Sequence, residues 1–151
     1  MWELLEKYLR KHGWYRRRIE HALDLERRGE VRNDGLQLGE MQHRLEIRWR
    51  ARGVHPWDRH LPRDERHARF VEQALLDTEA AIARLFDALP EVDLIDLRVT
   101  DPSSDATMLS GSVHRSDFQS LQPSPSVRMR LAEMGVSIEA LEIDYSYQLR
   151  V

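Results

Sequence analysis

Polar and apolar side chains largely alternate in four segments of the chain. These segments are residues 44–52, 92–100, 106–115 and 139–150. A repeat of two residues is typical of a strand that has one buried and one solvated face. The pattern therefore predicts four strands of one sheet, with the apolar side packed under helices and the polar side facing water.

Two other segments have the three- and four-residue apolar spacing of amphipathic helices. Residues 63–89 carry a long apolar stripe that ends before Pro90, and residues 125–134 carry a shorter one that ends at Gly135. The order from residue 44 onward is β-α-β-β-α-β. This order predicts an α+β protein with a ferredoxin-like sandwich over residues 44–151.

The ferredoxin-like order makes the first and last strands neighbours in the sheet. Arg48 and Arg50 are then expected beside Glu142 and Asp144 on the polar face. Opposite charges on neighbouring strands contribute roughly 0.2–1 kcal/mol per pair. The arrangement would therefore give these arginines a structural role without any ligand.

The beginning of the chain is predicted to be helical. Residues 2–12 place their apolar side chains on one side of a helix, and residues 14–29 form a second amphipathic segment that ends in glycine. Asn33-Asp34-Gly35 is a turn signal. Together these features predict an N-terminal helical hairpin or one kinked helix.

Residues 36–52 fit two different structures. As a helix, Leu38, Leu45 and Trp49 share a face, but Ile47 falls on the polar side. As a strand over 44–52, every apolar residue lies on one side. We predict a short helical turn followed by that strand; the alternative, with residues 36–52 helical throughout, is a three-stranded α-β-β-α-β protein.

The length and composition suit a globular protein. With 151 residues, 41% of them hydrophobic, the chain is predicted to form a single domain, residues 1–151. The N-terminal helical extension would comprise residues 1–35 and the α+β core residues 36–151. The chain has no cysteine, which excludes disulfides, thiolate zinc sites and cysteine nucleophiles.

The chain offers no apolar run long enough for a membrane span, which needs about 20 residues. Its first residues carry charges at Glu3, Glu6 and Lys7, unlike the apolar core of a secretory signal. We therefore expect a cytoplasmic protein with no membrane partner.

Positive and negative charges are distributed unevenly along the chain. Residues 1–63 contain 15 Lys and Arg against 10 Asp and Glu, whereas residues 64–151 contain 8 against 16. A basic first part could bind nucleic acid or an acidic partner. The simpler interpretation is that it packs against the acidic remainder of its own chain.

The densest group of candidate functional residues lies in the stretch RWRARGVHPWDRH, residues 48–60. An enzyme hypothesis assigns a catalytic role to His55, Asp58 and His60, with Asp58 holding one imidazole for proton transfer. The residues predicted to bind an anionic substrate are Arg48, Arg50, Arg52 and Trp57. The simpler interpretation makes Trp57 an apolar lid over one end of the core.

No metal site or cofactor is predicted. The histidines and Asp58 are suitable ligand types for a divalent metal, but their spacing matches no metal-binding signature. The neighbouring arginines would repel a cation as well. The sequence also lacks a glycine-rich loop that could cradle a phosphate.

Nucleic acid is an unfavoured partner. Ferredoxin-like sheets can stack RNA bases on exposed aromatic side chains, but Trp49, Tyr145 and Tyr147 follow the apolar rhythm and so belong to the core face. Backbone phosphates could still meet the arginines of the N-terminal helices. These arginines alternate with acidic residues, a pattern typical of a solvated helix face.

The function that these patterns favour is a small non-enzymatic binding or assembly module that acts through protein–protein contacts. Sheet edges left open by so short a domain favour self-association, which predicts a homodimer. The alternatives are a hydrolase-type enzyme that acts on an anionic substrate at residues 55–60, and binding of nucleic-acid backbone by the N-terminal helices.

Overall fold

The structure is a computed structural model, and it describes residues 15–23, 31–41 and 43–139. Helices and a five-stranded mixed sheet make the protein α+β. Residues 15–23 are helical and are called α1. The further elements are β1 Val31–Met41, β2 Arg44–Ala51, α2 Arg63–Ala88, β3 Leu94–Thr100, β4 Thr107–His114, α3 Arg115–Gln119, α4 Val127–Glu133 and β5 Val136–Ile138.

The strands lie in the sheet in their chain order, β1-β2-β3-β4-β5. The β2 and β3 strands are parallel and are joined through α2, while the other neighbouring pairs are antiparallel. A parallel connection needs a crossover, and the 26 residues of α2 supply it. The predicted helix over 63–89 and the predicted strands over 44–52, 92–100 and 106–115 are thus confirmed.

One face of the sheet packs with α2 into the hydrophobic core. The inward residues of β2, the apolar stripe of α2 and the inward residues of β3 belong to one cluster. Trp49 fills its centre and is only 1% exposed. Burying a side chain of this kind contributes about 3 kcal/mol. The opposite face of the sheet, which we call the polar face, carries Arg44, Glu46, Arg48, Arg50, Asp96, Arg98, Ser110 and Ser112.

The prediction for residues 36–43 is wrong. Instead of a helical turn there is strand β1, which also excludes the alternative in which residues 36–52 are helical. Leu36 is buried and Gln37 is exposed, so β1 alternates as β2 does, and pairing with β2 satisfies its backbone hydrogen-bonding groups. The turn signal at residues 33–35 coincides with a shift in register between Arg32 and Gln37, which Asn, Asp and Gly tolerate well.

The ferredoxin-like strand order is not what these residues form. Strand β2 has β1 on one side and β3 on the other, so the last predicted strand cannot be its neighbour in this sheet. Arg48 and Arg50 both pair with Asp105; Glu142 and Asp144 lie outside the described residues. The ferredoxin-like order fails because β1 already occupies the open side of β2.

Only part of the predicted N-terminal hairpin can be compared with the structure. Helix α1 falls within the second predicted helix, 14–29, while residues 1–14 and 24–30 lie outside the described part of the chain. Residues 31–35 belong to β1, so the first strand begins before residue 36, the predicted start of the core. The short helix predicted over 125–134 is confirmed as α4, and Gly135 follows it with φ of 96°. Of the strand predicted over 139–150, all but residue 139 lies outside the described residues.

No helix within the described ranges is both long and apolar enough to cross a membrane.

Arg18 of α1 and Arg115 of α3 both donate hydrogen bonds to backbone carbonyls at the C-terminal end of α2. Arg18 of α1 donates to the carbonyl of Ala88 at 2.6 Å and to the carboxylate of Glu91 at 2.6 Å. Burial of Glu91 raises the pKa of its carboxyl. The hydrogen bond from Arg18, a bond from its own backbone, and the charges of Arg18 and Arg115 outweigh that effect and hold this pKa below its usual value.

The pKa of Glu91 predicts how stability depends on pH. A carboxyl with a lowered pKa in the folded state stabilises the protein above its unfolded pKa, and that contribution is lost as the pH falls through the folded value. Glu91→Gln should therefore cost about 1 kcal/mol at neutral pH, and the cost should shrink as the pH falls below the unfolded pKa, about 4.3. Urea denaturation across this range measures it; Glu72→Gln, on the exposed side of α2, is the control and should show no such cost. A Glu91→Gln cost that does not change with pH would contradict the assignment.

Candidate ligand-binding face of the sheet

The stretch from residue 55 to residue 60 forms a braced turn. Pro56–Asp58 is a single turn of 3-10 helix. The Trp57 backbone N–H donates to Nδ1 of His55 at 3.2 Å, and the Asp58 N–H donates to the His55 carbonyl at 2.8 Å. Proline fixes the first backbone angle of the turn, and the His55 side chain satisfies one free amide.

The turn does not bring the three predicted catalytic residues together. His55 is occupied by Trp57, Asp58 faces the Arg69 guanidinium at 3.8 Å, and His60 is exposed. No hydrogen bond or ion pair joins the side chains of His55, Asp58 and His60 to one another. Across residues 15–23, 31–41 and 43–139, no group of three or more histidine and acidic side chains could hold a metal ion. The catalytic roles of these residues stay predictions.

Trp57 does not cover the core. Its side chain is 80% exposed, and its ring meets the His55 ring edge-on with centroids 5.8 Å apart. The interpretation of Trp57 as an apolar lid is therefore wrong. The physical reason is that the hydrogen bonds of the braced turn fix its backbone with the Trp57 ring pointing to solvent.

Arg52, predicted to bind a ligand, has a structural partner instead. Its guanidinium makes a two-pronged contact with the Asp77 carboxylate of α2, at 2.8 and 3.1 Å. Beside it, the Gln73 amide donates to the Gly53 carbonyl at 3.0 Å. Both contacts attach the end of β2 to the side of α2, away from the polar face.

Arg48 and Arg50 do lie on the polar face, where they share one acidic partner. Both guanidiniums contact Oδ1 of Asp105, at 3.4 Å from Arg48 and 3.0 Å from Arg50. Arg50 also donates to the Ser104 carbonyl at 2.8 Å. Because one carboxylate serves two guanidiniums, this end of the face keeps a positive excess.

A third arginine, Arg98, completes a row across the sheet that sequence reasoning did not assign to a site. The register places Gln37 of β1 opposite Arg48, Arg48 opposite Arg98, and Arg98 opposite Ser110 of β4. Arg98 is exposed and has no acidic partner among the described residues. The only signal in the sequence was its position on the polar side of the 92–100 strand; its neighbours depend on strand order.

The next level of the polar face is acidic and internally paired. Asp96 accepts a hydrogen bond from Arg44 on one side and from the hydroxyl of Ser112 on the other. Arg44 also lies 3.5 Å from the carboxylate of Glu46. Asp96 is thus neutralised within the sheet, whereas the Arg48–Arg98 pair one level away is not.

These two levels line an open depression of about 560 Å³ that extends from Gln37 to Ser112. Gly39 helps to form it. A Cβ atom at this position would lie 2.6 Å from the Cβ of Glu46, so any larger residue would push the strands out of register. A volume of this size is within the usual range of ligand sites, about 300–1,000 Å³.

We found no family model, no curated protein and no solved structure that matches this chain. The function must therefore be argued from the site alone.

Proposed function

We propose that this protein is a non-enzymatic binding module that recognises an acidic segment of a protein partner with the polar face of its sheet. The observation that carries the proposal is the pair Arg48 and Arg98, side by side at the centre of an open depression. Asp105 only partly neutralises Arg48, and Arg98 has no acidic partner within the described part of the chain.

Side-by-side guanidiniums favour an anionic ligand. Neighbouring strands lie about 4.8 Å apart, and like charges directly opposite each other destabilise a sheet. An anion between the two side chains would replace that repulsion with two charge-assisted hydrogen bonds. The rigid strands hold the two backbones at this spacing before any ligand arrives, so the ordering entropy lost on binding is that of the side chains alone.

The charges around the pair favour an acidic protein segment over nucleic acid. Glu46, Asp96, Asp105 and Glu139 surround the arginine row, and a continuous polyanion would meet them. Trp49 is buried, so no described strand of the polar face offers an aromatic ring for base stacking. The N-terminal alternative is weakened as well, because Arg16 pairs with Glu20 at 2.9 Å and Arg18 pairs with Glu91.

Charge reversal at Arg98 tests the proposal. Arg98→Glu should weaken the binding of a fluorescein-labelled peptide that carries two glutamates in an otherwise neutral sequence by about 10- to 100-fold, the cost of losing a hydrogen bond to a charged group. Fluorescence anisotropy measures the dissociation constant. Because Arg98 is exposed, circular dichroism should show an unchanged fold.

The matched control is Arg128→Glu in α4, which reverses an exposed arginine away from the polar face. It should change the dissociation constant by no more than about twofold. Equal losses of affinity in the two variants would mean that binding depends only on the net charge of the protein, and would refute the proposed site. A labelled single-stranded DNA that binds more tightly than the peptide, and through Arg98, would assign the face to nucleic acid instead.

The predicted homodimer stays a prediction. At the two edges of the described sheet, β1 pairs with β2 through two shifts of register and β5 is three residues long. Short and irregular edge strands are poor templates for pairing with another chain. Any self-association through these edges is therefore expected to be weak.

A further inference from the structure

We propose that the centre of the polar face is a phosphate pocket, so that the acidic partner segment is recognised through a phosphorylated serine or threonine. This inference rests on the proposed binding function and adds the chemical class of the central ligand. It follows from the kind and number of donors that the register brings to one level of the sheet.

The donors at this level belong to one row, with no acidic side chain between them. Gln37, Arg48 and Arg98 are contributed by three successive strands, β1, β2 and β3, in direct register. Gln37 and Arg98 are exposed. Arg48 uses one nitrogen for Asp105, at 3.4 Å, and has other N–H groups available. The row thus presents an amide and two guanidiniums to a single ligand.

A phosphate monoester matches this donor set better than the other anions do. It carries about −1.5 to −2 charges and three terminal oxygens, enough to accept from each of the three side chains. A carboxylate has two oxygens and one negative charge. A phosphodiester in a nucleic-acid backbone likewise has two free oxygens and one charge, so either ligand balances only one of the two guanidinium charges.

The surroundings of the row act against larger polyanions. Asp96 and Glu46 lie one level below it, Asp105 lies above it, and Ser110 beside Arg98 donates to Glu139 at 3.3 Å. These carboxylates leave space for about one anionic group next to the arginines. A single phosphate can sit between them, while neighbouring phosphates would be repelled at about one strand spacing.

The experiment compares three small probes by NMR, following the Nε–H resonances of Arg48 and Arg98. The probes are N-acetyl-O-phosphoserine amide, N-acetylglutamate amide and dimethyl phosphate. We expect the phosphoserine probe to bind at least about tenfold more tightly than the other two, and inorganic phosphate to compete with it. Arg48→Ala and Gln37→Ala should reduce this preference, and Arg128→Ala should not.

The possible outcomes separate the two proposals. If the glutamate probe binds as tightly as the phosphoserine probe and still needs Arg98, the phosphate pocket is refuted and the proposed function stands. If no probe shifts either resonance and Arg98→Glu leaves binding of the two-glutamate peptide unchanged, both fail. Co-sedimentation with phosphatidylcholine vesicles that contain phosphatidylinositol phosphate, without binding of the phosphoserine probe, would assign the pocket to a lipid headgroup and overturn the protein-partner assignment.

Discussion

Replacement of Arg115 by methionine is expected to lower the free energy of unfolding by about 3 kcal/mol. The Arg115 guanidinium donates to the carbonyls of Phe86, Leu89 and Val92, at 3.1, 2.7 and 2.9 Å. Its central carbon also lies 4.7 Å from the centre of the Phe86 ring. One side chain therefore satisfies three carbonyls at and just beyond the end of α2, and methionine can satisfy none of them.

Urea denaturation followed by circular dichroism measures this effect. Arg115→Lys should fall between the wild type and Arg115→Met, because an ammonium keeps the favourable charge at the helix C-terminus but not the planar fork of donors. Arg128→Met is the control, since Arg128 is exposed and has no described partner; its cost should stay within about 0.5 kcal/mol. If the Arg115 and Arg128 variants lost equal stability, the capping role would be wrong.

Adding a single methyl group at Gly111 should be nearly as costly. A Cβ atom there would lie 2.3 Å from the Gly135 carbonyl oxygen and 2.8 Å from the Val136 Cα. Both neighbours are backbone atoms, so relief requires β5 to move away from β4. We expect Gly111→Ala to cost about 3 kcal/mol and to free the β4 amides that pair with β5.

Hydrogen exchange on the β4 amides, together with urea denaturation, tests this expectation. The matched control is Gly53→Ala, where an added Cβ meets nothing within 4 Å. That variant should be neutral or stabilising by up to about 0.5 kcal/mol, because alanine lowers the entropy of the unfolded chain. Unchanged protection of β4 in Gly111→Ala would show that the two strands adapt without separating.

Elements that depend on adjacent residues could be predicted from the sequence, whereas elements that depend on distant residues could not. Strand β2 was predicted because Leu45, Ile47 and Trp49 alternate with charged residues, and alternation depends only on adjacent positions. Strand β1 was missed because Leu36 and Leu38 are too few to establish a period and the neighbouring Asn33-Asp34-Gly35 resembles a turn. Pairing with β2 stabilises β1, and a short stretch of sequence does not reveal that pairing.

Some residues of the candidate site could be predicted from the sequence and others could not, for the same reason. Arg48 and Arg50 were predicted to bind a ligand, and they lie on the polar face as their alternation requires. Arg52 belongs to the same run, yet it pairs with Asp77, 25 residues further on. Arg98 was not assigned to the site, since nothing near it in the chain indicates that Arg48 will be its neighbour.

Local periodicity was sufficient to specify the strands β2, β3 and β4, the helices α2 and α4, and which side of each strand is buried. These properties arise from side-chain spacing over a few residues, where the hydrophobic effect acts on one element at a time. Strand order, the capping of α2 by Arg115 and the Arg48–Arg98 row required the tertiary structure. Each depends on hydrogen bonds and charge pairs between residues far apart in the chain, and many chain paths satisfy the same local pattern equally well.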